Sequence, residues 1–155
     1  MSTPFGQFAI KREAAGKIRV FALVDSISQS VMKPLHLALF NILKQLPNDG
    51  TFDQDASVAR SAVKAQAANK AYSFDLSAAT DRLPVSLTGA ILDGLFRDTP
   101  GIGQAWAKFM VERDFSFNSV TKKEFSLPDD HKLRYAVGQP MGCLSSWAGL
   151  AITHH

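Results

Sequence analysis

Apolar positions recur along this chain in two periods, and the switching between them outlines most of its elements. From Gly16 to Val24 the period is two: Ile18, Val20 and Ala22 point one way and Lys17, Arg19 and Phe21 the other, which predicts a short strand. Asp25 or Ser26 can cap the helix that follows. There Val31, Leu35, Ala38, Ile42 and Leu46 recur at helical spacing as one buried stripe, and Pro34 inside the run predicts a kink or a restart. Such a stripe could bind a partner helix, but core packing is its commoner fate. Pro47-Asn48-Asp49-Gly50 reads as a turn. Thr51 with Gln54 forms a capping-box pattern before an alanine-rich helix that reaches about Asn69.

Ala71 to Leu76 reads as a short aromatic strand running into a polar loop. Pro84 stands where a first helical residue is tolerated, and Leu87, Ile91 and Leu95 form the next helical face. Asp98-Thr99-Pro100-Gly101 breaks that helix, and Ile102, Ala105, Trp106 and Phe109 mark another. Residues 115–120, 124–127 and 133–137 alternate like strands, with turns at Lys122–Lys123 and Pro128–Asp129. A loop over 138–142 then leads into a helix from Ser145, which meets no terminating residue before His155 and reads as cut short.

Composition narrows the class. The 155 residues are 46% hydrophobic and 20% charged, as in ordinary globular chains, which suits one domain or one lobe of something larger. No apolar stretch approaches the roughly 18–20 residues that span a bilayer. The net charge of +3 and pI near 9.1 permit nucleic-acid binding without showing it. Lys11, Arg12, Lys17 and Arg19 cluster against one acid, Glu13, and Lys122, Lys123, Lys132 and Arg134 form a second group. Either cluster alone reads as a solvated face. Cys143 is the one cysteine, so an internal disulfide and a cysteine-rich zinc site are excluded and a reducing compartment fits. The N-terminus lacks the pattern of a secretory signal and has no arginine before Arg12, which makes a poor import peptide.

Two segments carry candidate chemistry. Asp75 ends the expected strand and faces small residues, where a carboxylate could hold Mg²⁺ or cap a turn. Asp81, before Leu83-Pro84, reads more simply as a cap. Gly138-Gln139-Pro140-Met141-Gly142 lets a backbone approach a ligand closely and feeds a helix with hydroxyls in its first turn, or else makes an ordinary turn with a serine cap. A hydrolase built on Cys143 lacks a histidine tied to it, and His154–His155 point different ways on a helix, which disfavours zinc.

Taken together, these strings resemble a family. Asp-Leu-Ser-Ala-Ala-Thr-Asp-Arg-Leu-Pro (75–84, within a segment 73–84) resembles motif A of the mitovirus RNA-dependent RNA polymerases. Gly-Gln-Pro-Met-Gly-x-x-Ser-Ser-Trp (138–147, within 137–155) resembles their motif B, and Glu13 to Ala22, with Asp25 and Lys33-Pro34-Leu35-His36, resembles their basic motif F.

The resemblance implies a single incomplete fingers/palm piece over 1–155, α+β in class, with helices around a small antiparallel sheet that contains the Asp75 strand. It also implies that motifs A and B lie side by side. Asp75 would be the motif A ligand for Mg²⁺ or Mn²⁺, Lys17 and Arg19 would face an incoming ribonucleoside triphosphate, and Gly138 would shape the motif B loop. Ser145 or Ser146, with Asp81, would check the sugar; where many such polymerases place an acid five positions after the first, this chain has Thr80 and the acid is Asp81. The family's motif C, Gly-Asp-Asp, is nowhere in these residues. One aspartate cannot assemble a two-metal site, so the chain alone is expected to be inactive, with a non-catalytic RNA-binding remnant as the alternative. The partners implied are RNA and ribonucleoside triphosphates, and the location implied is mitochondrial.

Overall fold

The computed structural model describes residues 6–155. Along the chain come β1 (Gly6–Arg12), a 3-10 turn (Ala14–Gly16), β2 (Ile18–Val24), α1 (Ser26–Leu43), α2 (Gln54–Ala68), α3 (Ala79–Arg82) and α4 (Val85–Leu95). They are followed by α5 (Ile102–Val111), β3 (Phe115–Phe117), α6 (Ser119–Glu124), β4 (Lys132–Leu133) and α7 (Ser146–His154). The class is mixed α and β, with one small sheet. Among the described residues no helix is long and apolar enough to cross a membrane.

The sheet runs β2-β1-β3-β4. β1 and β2 pair antiparallel, with Ala9 opposite Phe21 and Lys11 opposite Arg19. β1 and β3 run parallel through Gln7–Ser116 and Phe8–Phe117, and β3 pairs antiparallel with β4. The sheet is therefore mixed rather than antiparallel. Asp75 is not in it. Residues 71–76 form no strand and all are exposed. A strand needs a neighbour's amides and carbonyls, and none of the four strands lies alongside this segment.

Helix α1 begins at Asp25, whose carboxylate accepts hydrogen bonds from the Ser28 N–H at 2.9 Å and the Ser28 hydroxyl at 2.6 Å. The helix continues through Pro34 as one element. Its buried face is Ser28, Met32, Leu39 and Leu43, whereas Val31 is 59% exposed. The expected stripe is thus out of phase at its start, because Met32 rather than Val31 turns to the core. In α4 the buried residues are Val85, Thr88, Gly89 and Leu92, while Leu87 and Leu95 face outward. Here the reason is close approach: a Cβ on Gly103 of α5 would overlap the Gly89 carbonyl, so the two helices meet through glycines. A reading that counts leucines cannot see that face.

Other boundaries move for reasons of capping. Asp53, not Thr51, caps α2 by accepting from the Ala56 N–H at 2.8 Å, and Thr51 folds back onto the Asp49 carboxylate. Asn118 accepts from the Thr121 N–H at 2.7 Å and starts α6, so Lys122 and Lys123 lie in a helical turn and residues 124–127 form no strand. Of the last expected strand, 133–137, only Leu133 pairs, together with Lys132 before it.

Two cores result. The larger joins Met32, Leu39 and Leu43 of α1 to Val85 and Leu92 of α4, Trp106 and Met110 of α5, and Cys143, Ala148 and Ile152 around α7. The smaller is Phe8, Ala22 and Phe115 on the sheet, flanked by Phe117 and Tyr135. Truncating Leu39 to alanine should cost about 2–5 kcal/mol, as large-to-small core changes do. Val31→Ala should stay within about 0.5 kcal/mol. Equilibrium urea unfolding of both variants checks the phase of α1; equal losses would overturn it.

Candidate nucleic-acid interface

Lys17 follows directly on the 3-10 turn, whose Gly16 takes the left-handed φ of 74° that lets the hairpin reverse. It lies just outside β2, while Arg19 is inside it. Lys17, Ile18, Arg19 and Val20 line one wall of an open cleft of about 600 Å³. The opposite wall is the loop from Asp75 to Asp81, and Met141 also lines it. Four of the residues singled out from sequence, Lys17, Arg19, Asp75 and Asp81, therefore meet in one place. The Arg19 Nε lies 2.9 Å from the Glu13 carboxylate, an exposed pair of small energetic worth. Lys17 has no carboxylate partner among the described residues.

The acidic wall is held from behind. Ala78 takes a left-handed φ of 53°, and α3 begins without a side-chain cap. Asp81 sits inside α3, and Pro84 precedes α4 with no side-chain cap bond, so neither Asp75 nor Asp81 caps a helix. The Gln139 N–H donates to the Thr80 carbonyl at 2.8 Å, and the Val85 N–H donates to the Val137 carbonyl at 2.8 Å. Between them Gly138 is buried, and a Cβ there would overlap the Thr80 carbonyl oxygen and the Asp81 backbone. Gln139 then donates from Nε2 to the Ser146 carbonyl at 2.9 Å, tying the loop to the first turn of α7.

Ser145 and Ser146 stand elsewhere. Both are fully buried and neither lines the cleft. The Ser145 hydroxyl accepts from Trp106 Nε1 at 2.8 Å and donates to Met32 Sδ at 3.7 Å, while its N–H donates to His36 Nδ1 at 3.1 Å. Burial lowers the His36 pKa, which favours the neutral ring that can accept this bond. Among the described residues the Ser146 hydroxyl has no hydrogen-bond partner. Sequence reasoning named Met141 only as part of its loop, and it missed Tyr135, whose phenol is pushed up to about 12 by burial and then by the charge of Asp81. Tyr135 carried only a strand-like alternation as its signal.

Burial pushes the Cys143 thiol up to about 12, which keeps it protonated at neutral pH and unsuited to nucleophilic work. The His155 ring pairs with Asp49 at 3.1 Å. Among the described residues no three of His, Cys, Asp or Glu converge to hold a metal ion. Asp75 and Asp81 are two exposed carboxylates facing one cleft, too few for a two-metal site. The residues present do not fit that site.

Comparison with known proteins agrees with the motifs. The model of the mitovirus RNA-dependent RNA polymerase family matches residues 1–155, and the chain belongs to that family. It is 39% identical over 152 residues to the RNA-directed RNA polymerase of Cryphonectria parasitica mitovirus 1, covering 97% of this chain and 17% of the viral protein. Two uncharacterized mitochondrial proteins of Arabidopsis thaliana are also similar. One is 36% identical over 74% of this chain and 42% of its own length; the other is 30% identical over 72% and 50%. The chain thus spans about a sixth to a half of these relatives. No solved structure matches it.

Because Gly138 has no room for a side chain, Gly138→Ala should separate the two motif segments. Amide hydrogen exchange is expected to quicken at Gln139 and Val85, whose N–H groups bridge the segments, more than in α1. Unchanged protection at both would show that the contact is not what joins them.

Proposed function

We propose that this chain forms the nucleotide- and RNA-facing part of the fingers and palm of a mitovirus-type RNA polymerase, and that it does not polymerise RNA on its own. The reading is carried by one observation: the basic residues of motif F and the aspartates of motif A line the same cleft. Lys17 and Arg19 supply charge for a triphosphate or an RNA phosphate. Asp75 offers a carboxylate for Mg²⁺ or Mn²⁺, but the pair Asp75 and Asp81 cannot hold two ions through catalysis, so stable metal binding by this chain alone is not expected. Ser145 and Ser146 can sense a sugar only after α7 shifts, since both are buried. A mitochondrial location is supported by the family and by the two mitochondrial relatives.

Primer extension with Mg²⁺, Mn²⁺ or both should give no product. Template-dependent incorporation of labelled nucleotide, abolished by Asp75→Ala, would overturn the proposal of inactivity.

A second reading, a non-catalytic RNA-binding remnant, is favoured by Lys17, which is exposed and has no carboxylate partner among the described residues. Single-stranded RNA should then bind weakly, with a Kd on the order of 10⁻⁴–10⁻⁶ M at physiological salt, and salt should weaken it steeply. Replacing Lys17 and Arg19 by alanine should lower affinity and flatten the salt dependence. Coincident titrations of the double variant and wild type would sink this reading.

A further inference from the structure

We infer that His36 is a positioning residue for the turn that opens α7, and that it holds this turn only while its ring is neutral. Three side chains of α1 grip the backbone and hydroxyl groups of residues 142–145. Gln29 donates to the Gly142 carbonyl at 2.7 Å and accepts from the Leu144 N–H at 2.8 Å. Met32 Sδ accepts from the Ser145 hydroxyl at 3.7 Å, and His36 Nδ1 accepts from the Ser145 N–H at 3.1 Å. Positions 29, 32 and 36 follow each other at three and four residues, so they share one face of the helix. Of the three, only the imidazole changes charge near neutral pH.

The backbone that His36 serves is a demanding one. Ser145 stands at a left-handed φ of 70°, and α7 begins there with no side-chain cap bond. A proton on Nδ1 turns the acceptor into a donor that faces a donor, and the Ser145 N–H loses its partner. The turn is also a link in a longer chain. The Ser146 carbonyl accepts from Gln139 Nε2 at 2.9 Å, and the Gln139 N–H donates to the Thr80 carbonyl at 2.8 Å. Release of the turn therefore reaches the motif A segment.

The ring is placed for such a role. Phe40 packs against it at a centroid distance of 4.4 Å and nearly at right angles. Burial is the one cause that lowers its pKa from the ordinary 6.5, and no charged neighbour contributes. Lys33 on the same helix is exposed, and the Cys143 thiol in the loop keeps its proton up to about 12. Asp25 pairs with Arg113 at the start of α1, and His155 pairs with Asp49 at the far end of α7. Because the folded pKa lies below the unfolded one, the unfolded chain takes the proton first. The contribution of His36 to stability is thus whole above pH 6.5 and declines below it.

NMR of the isotope-labelled chain reads the contact directly. On the alkaline side of neutrality His36 should carry its proton on Nε2 and show a scalar coupling from Nδ1 to the Ser145 amide nitrogen. As pH falls below 6.5 the coupling should vanish with the titration of the ring. Amide exchange at Ser145, corrected for its intrinsic pH dependence, should then quicken on the order of tenfold, the worth of one hydrogen bond. Gln139 should follow, while amides inside α4 hold. His36→Asn, whose side-chain oxygen replaces Nδ1, should keep Ser145 protected and remove the pH dependence. His36→Ala should leave Ser145 unprotected throughout. Gln29→Ala should loosen Leu144 and leave the pH dependence at Ser145 in place. A proton on Nδ1 above neutrality would overturn the inference without any variant. So would exchange at Ser145 that ignores the titration of His36, or that quickens only together with α4, which would be global unfolding. None of these measurements involves RNA, so the RNA-facing reading and this inference fail separately.

Discussion

The backbone contact between residues 80–85 and 137–139 is the constraint on which the remaining arrangement depends. Gln139 and Val137 hold the motif A segment from behind through two hydrogen bonds of 2.8 Å, and Gly138 lets the chains close to van der Waals distance. The loop that makes this contact is pinned on its other sides too. The Gly142 N–H donates to the Ala22 carbonyl of β2 at 3.1 Å. Gln29 of α1 donates to the Gly142 carbonyl at 2.7 Å and accepts from the Leu144 N–H at 2.8 Å. One loop therefore sets the acidic segment, the basic hairpin and α1 relative to each other. All of these bonds engage loop backbone, so they fix position whatever the exposed side chains are.

The same loop links the cleft to the core at Ser145. Its hydroxyl joins Trp106 of α5 to Met32 of α1 in a site with no access to water, where an unmade hydrogen bond costs about 1–3 kcal/mol. Its backbone stands at a φ of 70°, which a non-glycine residue holds only when its surroundings insist. Packing and site geometry thus converge on one serine. Its buried neighbour Ser146 keeps a hydroxyl without a partner, so the first turn of α7 is not fully satisfied as it stands. A shift of that turn would loosen the Gln139 bond to the Ser146 carbonyl, and freeing Ser145 would break its contacts with Trp106, Met32 and His36.

Much of this was legible in the residues, and the failures are physical rather than random. The motif strings named the family and four residues that line one cleft, because a long motif string fixes residue type at each position. Strand β1 was legible in principle, since Phe8 and Ile10 alternate with Gln7 and Lys11. The face of α4 was not, because its tightest contact is between Gly89 and Gly103, and glycine leaves no apolar signal. Residues 71–76 have strand-like composition but no neighbour to pair with, and propensity cannot report a missing partner. The burial of Ser145 was likewise invisible, because it depends on a tryptophan 39 positions away.

The two cores differ in size, and this bears on how the cleft behaves. Ten buried residues knit α1, α4, α5 and α7, while the sheet rests on Phe8, Ala22 and Phe115. The basic wall belongs to the second group, and the adjoining Ile18 and Val20 remain more than 40% exposed. Regions with few buried contacts open at lower free energy than the global fold. The hairpin carrying Lys17 and Arg19 therefore rests on fewer buried residues than the helices to which Gly138 fastens the segment around Thr80. The Glu13 carboxylate lies 2.9 Å from the Arg19 guanidinium. Lys17 has no such partner among the described residues.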